Sequence, residues 1–230
     1  MKTVSVIIVA AGSGTRMNSS TPKQFLRLGR HTVLFHSIHR FLLLPSILEI
    51  IIIGPLDYLN SKFLQDSIPR STSVPIRIIA GGSQRQESVI NGLNAVSSDA
   101  SIICIHDGVR PLVRPDLIQK SIDLCEKYDG AIIAARSINT LKEVSAGTVV
   151  RTLDRSSIWQ AQTPQTFRKT VIKKAYEHAF NNKLNATDDS DFVEAIGGSV
   201  AIVENTSWNL KITSPDDLII AQALLEKEMS

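Results

Sequence analysis

Two cations stand a few residues beyond a glycine turn. The turn, Ala10-Ala11-Gly12-Ser13-Gly14-Thr15-Arg16-Met17, follows directly on the apolar run Val4–Val9, and Pro22-Lys23-Gln24 comes shortly after. Small residues at a strand end let backbone N–H groups approach a phosphate closely. Arg16 and Lys23 add two fixed positive charges beside such a site. Familiar phosphate-binding turns do not account for it. Met17 stands where a dinucleotide fingerprint has its third glycine, and the second apolar run ends in Gly54-Pro55 without a ribose-binding acid. No Gly-Lys-[Ser/Thr] is present either. A second cluster is His106-Asp107-Gly108-Val109-Arg110-Pro111, where an apolar run ends in an acid and then a base. A carboxylate there suits Mg²⁺, which takes one or two carboxylates plus ligand phosphates and keeps most of its waters. His106 invites a general-base reading, but no nucleophile or second acid is spaced to complete a relay, so a structural role is expected.

Further polar groups recur at the ends of apolar runs: Lys142, Asp154-Arg155, Gln162-Thr163-Pro164-Gln165, Thr187-Asp188-Asp189 and Asn209-Leu210-Lys211-Ile212-Thr213. Singly, each reads as a turn, a cap or a surface residue. Thr187, for example, is placed to cap a helix over 188–196. Only their combination is informative.

The scaffold that must position these groups is legible as alternating strands and helices. Val4–Val9, 48–53, Ile76–Ala80, 102–105 and 131–135 are rich in β-branched residues and lack polar alternation, as strands covered on both faces do. Between them, 85–96 places Val89, Ile90, Leu93 and Val96 on one helical face, with Ser83 and Gln86 as a candidate capping box. Residues 116–128 repeat the helical period, and Ser214-Pro215-Asp216-Asp217 opens a last helix with a cap, a proline and acids. The alternation predicts a doubly wound, mostly parallel α/β domain of Rossmann type spanning 1–230. One segment breaks the rhythm. Residues 139–153 alternate threonine, valine and charges around Ala146-Gly147 and read as a β-hairpin too poor in apolar residues to stand alone. It either packs on its own domain or projects as an arm onto a second subunit.

Composition narrows the function classes. With 230 residues, 43% hydrophobic and 20% charged, the chain can build a full core, and disorder is excluded. Two cysteines make no disulfide scaffold, and their spacing suits neither metal nor redox work. A net charge of +3 is too small to predict nucleic-acid binding, so an anionic ligand must be met by a local cluster of bases. No secretory signal pattern and no stretch of about 18 apolar residues is found, so a cytoplasmic protein without membrane contact is expected.

Taken in order, the motifs carry a resemblance. Ala10-Ala11-Gly12-x-Gly14-x-Arg16-Met17 with Pro22-Lys23-Gln24 is followed by Gly81-Gly82-x-x-Arg85-x-x-Ser88-Val89 and His106-Asp107-x-x-Arg110-Pro111. Thr163-Pro164-Gln165, Thr187-Asp188-Asp189 and Asn209-x-Lys211-x-Thr213-x-Pro215-x-Asp217 complete the series. The whole, from about residue 4 to residue 224, resembles the polyol-phosphate cytidylyltransferases, which join a CMP unit to a polyol phosphate. The resemblance implies CTP and Mg²⁺, with 2-C-methyl-D-erythritol 4-phosphate of the non-mevalonate isoprenoid route as acceptor. Ribitol 5-phosphate as acceptor, or a CTP sensor without catalysis, are the alternatives.

By the same resemblance, Ala10, Ala11, Gly12, Gly14, Gly82, Ser83, Arg85 and Ser88 match positions around CTP. Arg16 and Lys23 match the pair that stabilises the transition state, and Asp107 the acid near the metal and the acceptor. Arg110, Thr140, Arg155, Thr163, Thr187 and Lys211 match positions around the acceptor or the phosphates. In the family the counterparts of Thr140 and Arg155 come from the neighbouring subunit on the arm, which implies a homodimer. Two positions depart from the family pattern: Ser83 stands where an acid is common, and Asn139 replaces an acid before Thr140.

Overall fold

The computed structural model describes residues 2–12, 17 and 21–229, so Gly14 and Arg16 lie outside the described residues. Along the chain, β1 (Val4–Val9) precedes a small ribbon of β2 (Arg27–Leu28) and β3 (His31–Thr32), then α1 (Val33–Leu42) and β4 (Ile47–Gly54). Next come α2 (Lys62–Gln65), β5 (Ile76–Ala80), α3 (Arg85–Ala95), β6 (Ile102–Asp107), α4 (Pro115–Leu124) and β7 (Gly130–Arg136). The arm is β8 (Leu141–Ser145) and β9 (Thr148–Leu153), followed by β10 (Trp159–Arg168), α5 (Lys169–Asn181), α6 (Asp189–Ala195), β11 (Val200–Asn205) and α7 (Pro215–Met229).

Seven strands pair in the order β11-β7-β10-β6-β1-β4-β5. Neighbours run parallel except at β10, which is antiparallel to both β6 and β7. The chain leaves β1 for β4 and β5, then returns past β1 to β6, so the winding direction reverses between β1 and β6. Ligand crevices form at the carboxyl ends of strands at such a reversal. There, Val9 is paired in register with Asp107.

Alternate strand residues face two separate cores, which explains the unbroken apolar runs. Val6, Ile8, Ile50 and Ile52 pack with Ile38, Phe41, Ile118 and Ile122 on the α1/α4 face. Ile7, Ile51, Ile53 and Ile105 pack with Val89, Leu93, Ile172 and Phe192 on the α3/α5/α6 face. Each such side chain contributes about 1.5–3 kcal/mol by leaving water, so the strand ends are rigid mounting points. A third cluster joins Val109 to Ile212, Ala221 and Leu225, and the Ile212 N–H donates to the Val109 carbonyl at 2.9 Å. That contact ties the loop before α7 to the loop after β6.

Three boundaries differ from the sequence expectation. The capping box of α3 is Gln84 with Glu87, one residue beyond Ser83 and Gln86. Glu87 is the longer-reaching acceptor and collects the amides that a serine cap would have left. Helix α4 begins at Pro115 and closes at Leu124, its apolar stripe continuing into a turn. Helix α6 is capped by Asp188, whose side chain accepts from the Asp191 N–H, and Thr187 lies exposed before it. In α7 the expected start holds: Pro215 is its first residue, and Asp217 Oδ2 accepts from both the Thr213 and Ser214 amides at 2.8 Å.

The hairpin forms and, among the described residues, its strands pair only with each other. Ala146 and Gly147 both have positive φ, 48° and 79°, the conformation a two-residue hairpin turn demands. Val144, Val149 and Val150 on it are more than half exposed.

Candidate functional site

A cleft of about 350 Å³ opens at the ends of β1, β5 and β6, within the range of small-molecule sites. Val9, Ala10, Ala11 and Gly12 form one wall, and Gly82, Ser83, Gln84, Arg85 and Ser88 form another. Lys23, Asp107 and Lys211 supply its charge. The two loops touch: a Cβ on Gly81 would fall 2.3 Å from that of Ala11, so only glycine fits there. Gln24 braces the first wall from beneath, its side-chain amide donating to the Ala10 carbonyl at 2.7 Å and to that of Gly12 at 3.3 Å. It is 1% exposed. Lys23 sits beside it on a single 3-10 turn, Lys23–Phe25, and this brace aims it at the cleft.

Asp107 is ringed by cations. Lys211 Nζ is 2.9 Å from its Oδ2, Arg110 Nε is 3.4 Å from the same oxygen, and Arg85 Nε is 3.6 Å from Oδ1. Burial alone would raise its pKa, but the charges of Lys211, Arg85 and Arg110 outweigh it and hold the carboxyl well below the usual range. The acid stays ionised at any physiological pH.

Each cation is itself held. Arg85 grips Asp189 with two parallel hydrogen bonds of 2.9 and 2.7 Å, and the buried Tyr176 hydroxyl donates to Asp189 at 2.6 Å. Burial would favour losing the Arg85 proton, yet Asp189 overrides it and raises the pKa beyond reach. Arg110 donates to the Asn209 carbonyl at 2.7 Å, and burial lowers its pKa. Lys211 follows from Asn209, whose amide donates to the Thr163 carbonyl at 2.8 Å and to Gln162 Oε1 at 3.2 Å.

Behind Asp107 lies a relay of hydrogen bonds, not of protons. The Asp107 N–H donates to Thr163 Oγ1 at 3.0 Å, Thr163 Oγ1 meets His106 Nδ1 at 3.1 Å, and His106 Nε2 meets the Arg110 carbonyl at 3.1 Å. The carbonyl can only accept, so Nε2 carries the hydrogen and Nδ1 accepts from the threonine. Burial pushes the His106 pKa down to about 4, which keeps the ring neutral. His106 is therefore structural, as expected from its spacing.

The structure brings Ala10, Ala11, Gly12, Lys23, Gly82, Ser83, Arg85, Ser88, Asp107 and Lys211 to one cleft. Arg110 stands directly beside them through Asp107. Thr163 is 5% exposed and its hydroxyl serves the backbone of Asp107 from behind. Thr140, Arg155 and Thr187 are exposed and do not line the cleft of their own chain; Arg155 donates to the Ile138 carbonyl at the foot of the arm. Sequence reasoning named Gln24, Gln165 and Asp189 within motifs without giving them a role and passed over Glu87; all four hold other groups in place. Gln165 takes the Asp189 and Ser190 amides on its Oε1 at 2.9 and 3.0 Å. Their only sequence signal is position inside the motifs.

Comparison with known proteins agrees with this geometry. A family model for "IspD: 2-C-methyl-D-erythritol 4-phosphate cytidylyltransferase" matches residues 4–227. A 2-C-methyl-D-erythritol 4-phosphate cytidylyltransferase of Syntrophus aciditrophicus is 42% identical, covering 98% of this chain and 97% of that protein. One from Clostridioides difficile is 41% identical, over 97% and 94%. Among solved structures, the 4-diphosphocytidyl-2C-methyl-D-erythritol synthase of Anaerococcus prevotii superposes with a TM-score of 0.86 at 31% identity, covering 98% of this chain and 99% of its own.

Proposed function

The chain belongs to the 2-C-methyl-D-erythritol 4-phosphate cytidylyltransferase family, and we propose that the side chains of its cleft work by charge and alignment, without a general base. The enzyme transfers CMP from CTP to 2-C-methyl-D-erythritol 4-phosphate in isoprenoid biosynthesis, forming 4-diphosphocytidyl-2-C-methyl-D-erythritol and releasing pyrophosphate. The observation that carries the mechanism is the ionised Asp107 with Arg85, Arg110 and Lys211 around it, in the cleft that Lys23 also lines.

The nucleophile is a phosphate monoester oxygen, which carries about −1.5 to −2 charges at neutral pH and needs no base. The neutral, buried His106 is consistent with that. What the reaction lacks in water is alignment and relief of repulsion between two polyanions. Lys23 and Lys211 would offset the negative charge that builds at the α-phosphorus and on the departing pyrophosphate; by the resemblance Arg16, which lies outside the described residues, shares that role. Ala11 and Gly12 border the same space. Asp107 is the acid among the described residues lining the cleft, and one carboxylate completed by nucleotide phosphates and water is a donor set that Mg²⁺ accepts. Bound there, Mg²⁺ would supply Lewis-acid neutralisation of the triphosphate.

Thr140 and Arg155 fit the acceptor site of a neighbouring subunit better than their own. They stand exposed at the foot of a hairpin whose valines are uncovered, and they are absent from the cleft of their own chain. We take residues 1–230 as one nucleotidyltransferase domain, with the hairpin as a dimerisation arm. The two thiols are unpaired and buried, and burial raises Cys104 to about 12 and Cys125 to about 11, which suits a reducing cytoplasm. Among the described residues no helix is long and apolar enough to cross a membrane.

The test is pyrophosphate release with CTP and Mg²⁺, comparing 2-C-methyl-D-erythritol 4-phosphate with ribitol 5-phosphate. Release with the first and not the second is expected, and Asp107→Asn should abolish the Mg²⁺ dependence of CTP binding. Equal CTP affinity with and without Mg²⁺ in the unaltered enzyme would refute the metal role.

A further inference from the structure

An ionised carboxylate only accepts, through a few lone pairs on each oxygen. On Asp107, Oδ2 already faces two donors, Lys211 Nζ at 2.9 Å and Arg110 Nε at 3.4 Å, while Arg85 Nε faces Oδ1 at 3.6 Å. One negative charge thus sits among three positive ones. A divalent cation that takes this carboxylate as a ligand must displace one of them, because cations crowded on one oxygen repel strongly at such distances.

The three are not equally free to leave. Arg85 is clamped by two hydrogen bonds to Asp189, which fix its guanidinium beside Oδ1. A cation on Oδ1 would face a charge that cannot withdraw. Arg110 is anchored on the Asn209 carbonyl at 2.7 Å, and its side chain is 12% exposed. Lys211 has Asp107 as its one partner among the described residues, and its side chain is 41% exposed. Its backbone is held on both sides, by Asn209 on the Thr163 carbonyl and by the Ile212 N–H on that of Val109. Only the four-carbon stem can swing. An ammonium on such a stem is a point charge with rotatable donors, so it changes partners without a fixed geometry.

We propose that Lys211 holds the metal's place on Asp107 Oδ2 and yields it to Mg²⁺, turning to phosphate only when the metal binds. This rests on the reading of Asp107 as a metal ligand in a cytidylyltransferase and deepens it. While paired, Lys211 and Asp107 cancel each other's charge, and the lysine adds little pull on a triphosphate. Once Lys211 is displaced, the cleft gains its charge in addition to that of the metal. Metal binding and phosphate binding are then linked through one side chain.

The experiment titrates Mn²⁺, a paramagnetic substitute for Mg²⁺, into the nucleotide-free protein and reads free Mn²⁺ by electron paramagnetic resonance. It compares the unaltered chain, Lys211→Met, Lys23→Met, and Lys211→Met combined with Asp107→Asn. Lys211→Met keeps most of the stem and removes the competing charge, so it should tighten Mn²⁺ binding about tenfold or more. Lys23→Met removes a charge from the same cleft and should tighten it about threefold or less. Adding Asp107→Asn should abolish the gain. Equal tightening in the two lysine variants, or none in Lys211→Met, would overturn the exchange. A gain that survives Asp107→Asn would place the metal elsewhere and overturn the metal reading itself. As a second readout, Mg²⁺ should shift the ε-methylene NMR signal of Lys211 in the unaltered protein, assigned by its absence from Lys211→Arg. A signal unmoved at saturating Mg²⁺ would overturn the exchange as well. Neither readout requires CMP transfer, so a protein inactive toward every acceptor would fail the activity reading while the exchange was still decided.

Discussion

Arg85 and Asp189 are joined by two parallel hydrogen bonds of 2.9 and 2.7 Å across 104 residues of sequence, with the carboxylate fully buried. The pair fastens the start of α6 to the start of α3, and through Arg85 Nε it reaches Asp107. An arginine so engaged is a fixed point of the cleft wall, not a mobile hand for phosphate. Removing the Asp189 charge leaves the partly buried Arg85 with only its longer contact to Asp107 and weakens the hydrogen bonds Asp189 received, a loss on the order of 1–3 kcal/mol. Asp189→Asn should therefore lower unfolding stability by about 2 kcal/mol, measured by urea denaturation. A change below about 1 kcal/mol would mean that Arg85 finds another partner easily.

Lys23 should behave differently, because it contributes to rate more than to folding. Lys23→Ala is expected to lower kcat by about 10²–10³, the loss seen when one preorganised charge stabiliser is removed, while CTP binding weakens less. Single-turnover pyrophosphate release checks this. Near-normal kcat would remove Lys23 from the transition state.

His106 gives a pH prediction with a definite sign. Its folded pKa, about 4, lies below the ordinary 6.5, so the unfolded chain takes up the proton first as pH falls. Stability should be level above about pH 6.5 and decline steadily toward pH 4, with His36, also lowered by burial, adding in the same direction. Thermal melts from pH 7.5 to pH 4.5 should show this decline flattened in His106→Gln, on top of a pH-independent loss of about 1–3 kcal/mol from the broken Thr163–Arg110 connection. The activity profile above pH 6.5 should not report His106 at all.

The arm can be tested by mixing. Lys23→Ala and Arg155→Ala should each be inactive alone. After the subunits are exchanged at equal amounts, about half the dimers are hybrids with one intact site each, which returns about a quarter of normal activity. Hybrid dimers without recovered activity would assign Arg155 to its own subunit's cleft.

How far the sequence reached depended on what each residue packs against. The parallel strands were visible because long apolar runs mark buried faces: Val4–Val9 is apolar but for Ser5 and Ile76–Ala80 but for Arg77, and their bounds agree with the structure. Strand β10 was not visible. Its sequence, WQAQTPQTFR, spends Gln162, Thr163 and Gln165 on hydrogen bonds to Asn209, Asp107 and Asp189, so a buried strand looks like a loop. The same cause hid Gln24 and Asp189: a buried polar residue that serves a neighbour has no periodicity to betray it. Asp107 and Lys23 were found because strand ends and glycine turns mark where a cleft must be, whereas Lys211 was placed only by the resemblance of its motif. The α3 cap was displaced by one residue because Gln84 is an uncommon capping type, and the Glu87 carboxylate makes up for it.

The insertion of β10 between β6 and β7 has a consequence for the order in which the protein is made. The strands β1, β4, β5 and β6 are complete by residue 107, but the partner that covers the outer edge of β6 is not reached until residues 159–168. A nascent chain thus carries an unpaired edge through Ile102–Asp107, all of it apolar until its last two residues, while some fifty further residues leave the ribosome. Chains halted within that interval present a ready template for one another. Slow codons or truncation there should send the product to inclusion bodies, whereas interruption after residue 168 should be tolerated far better.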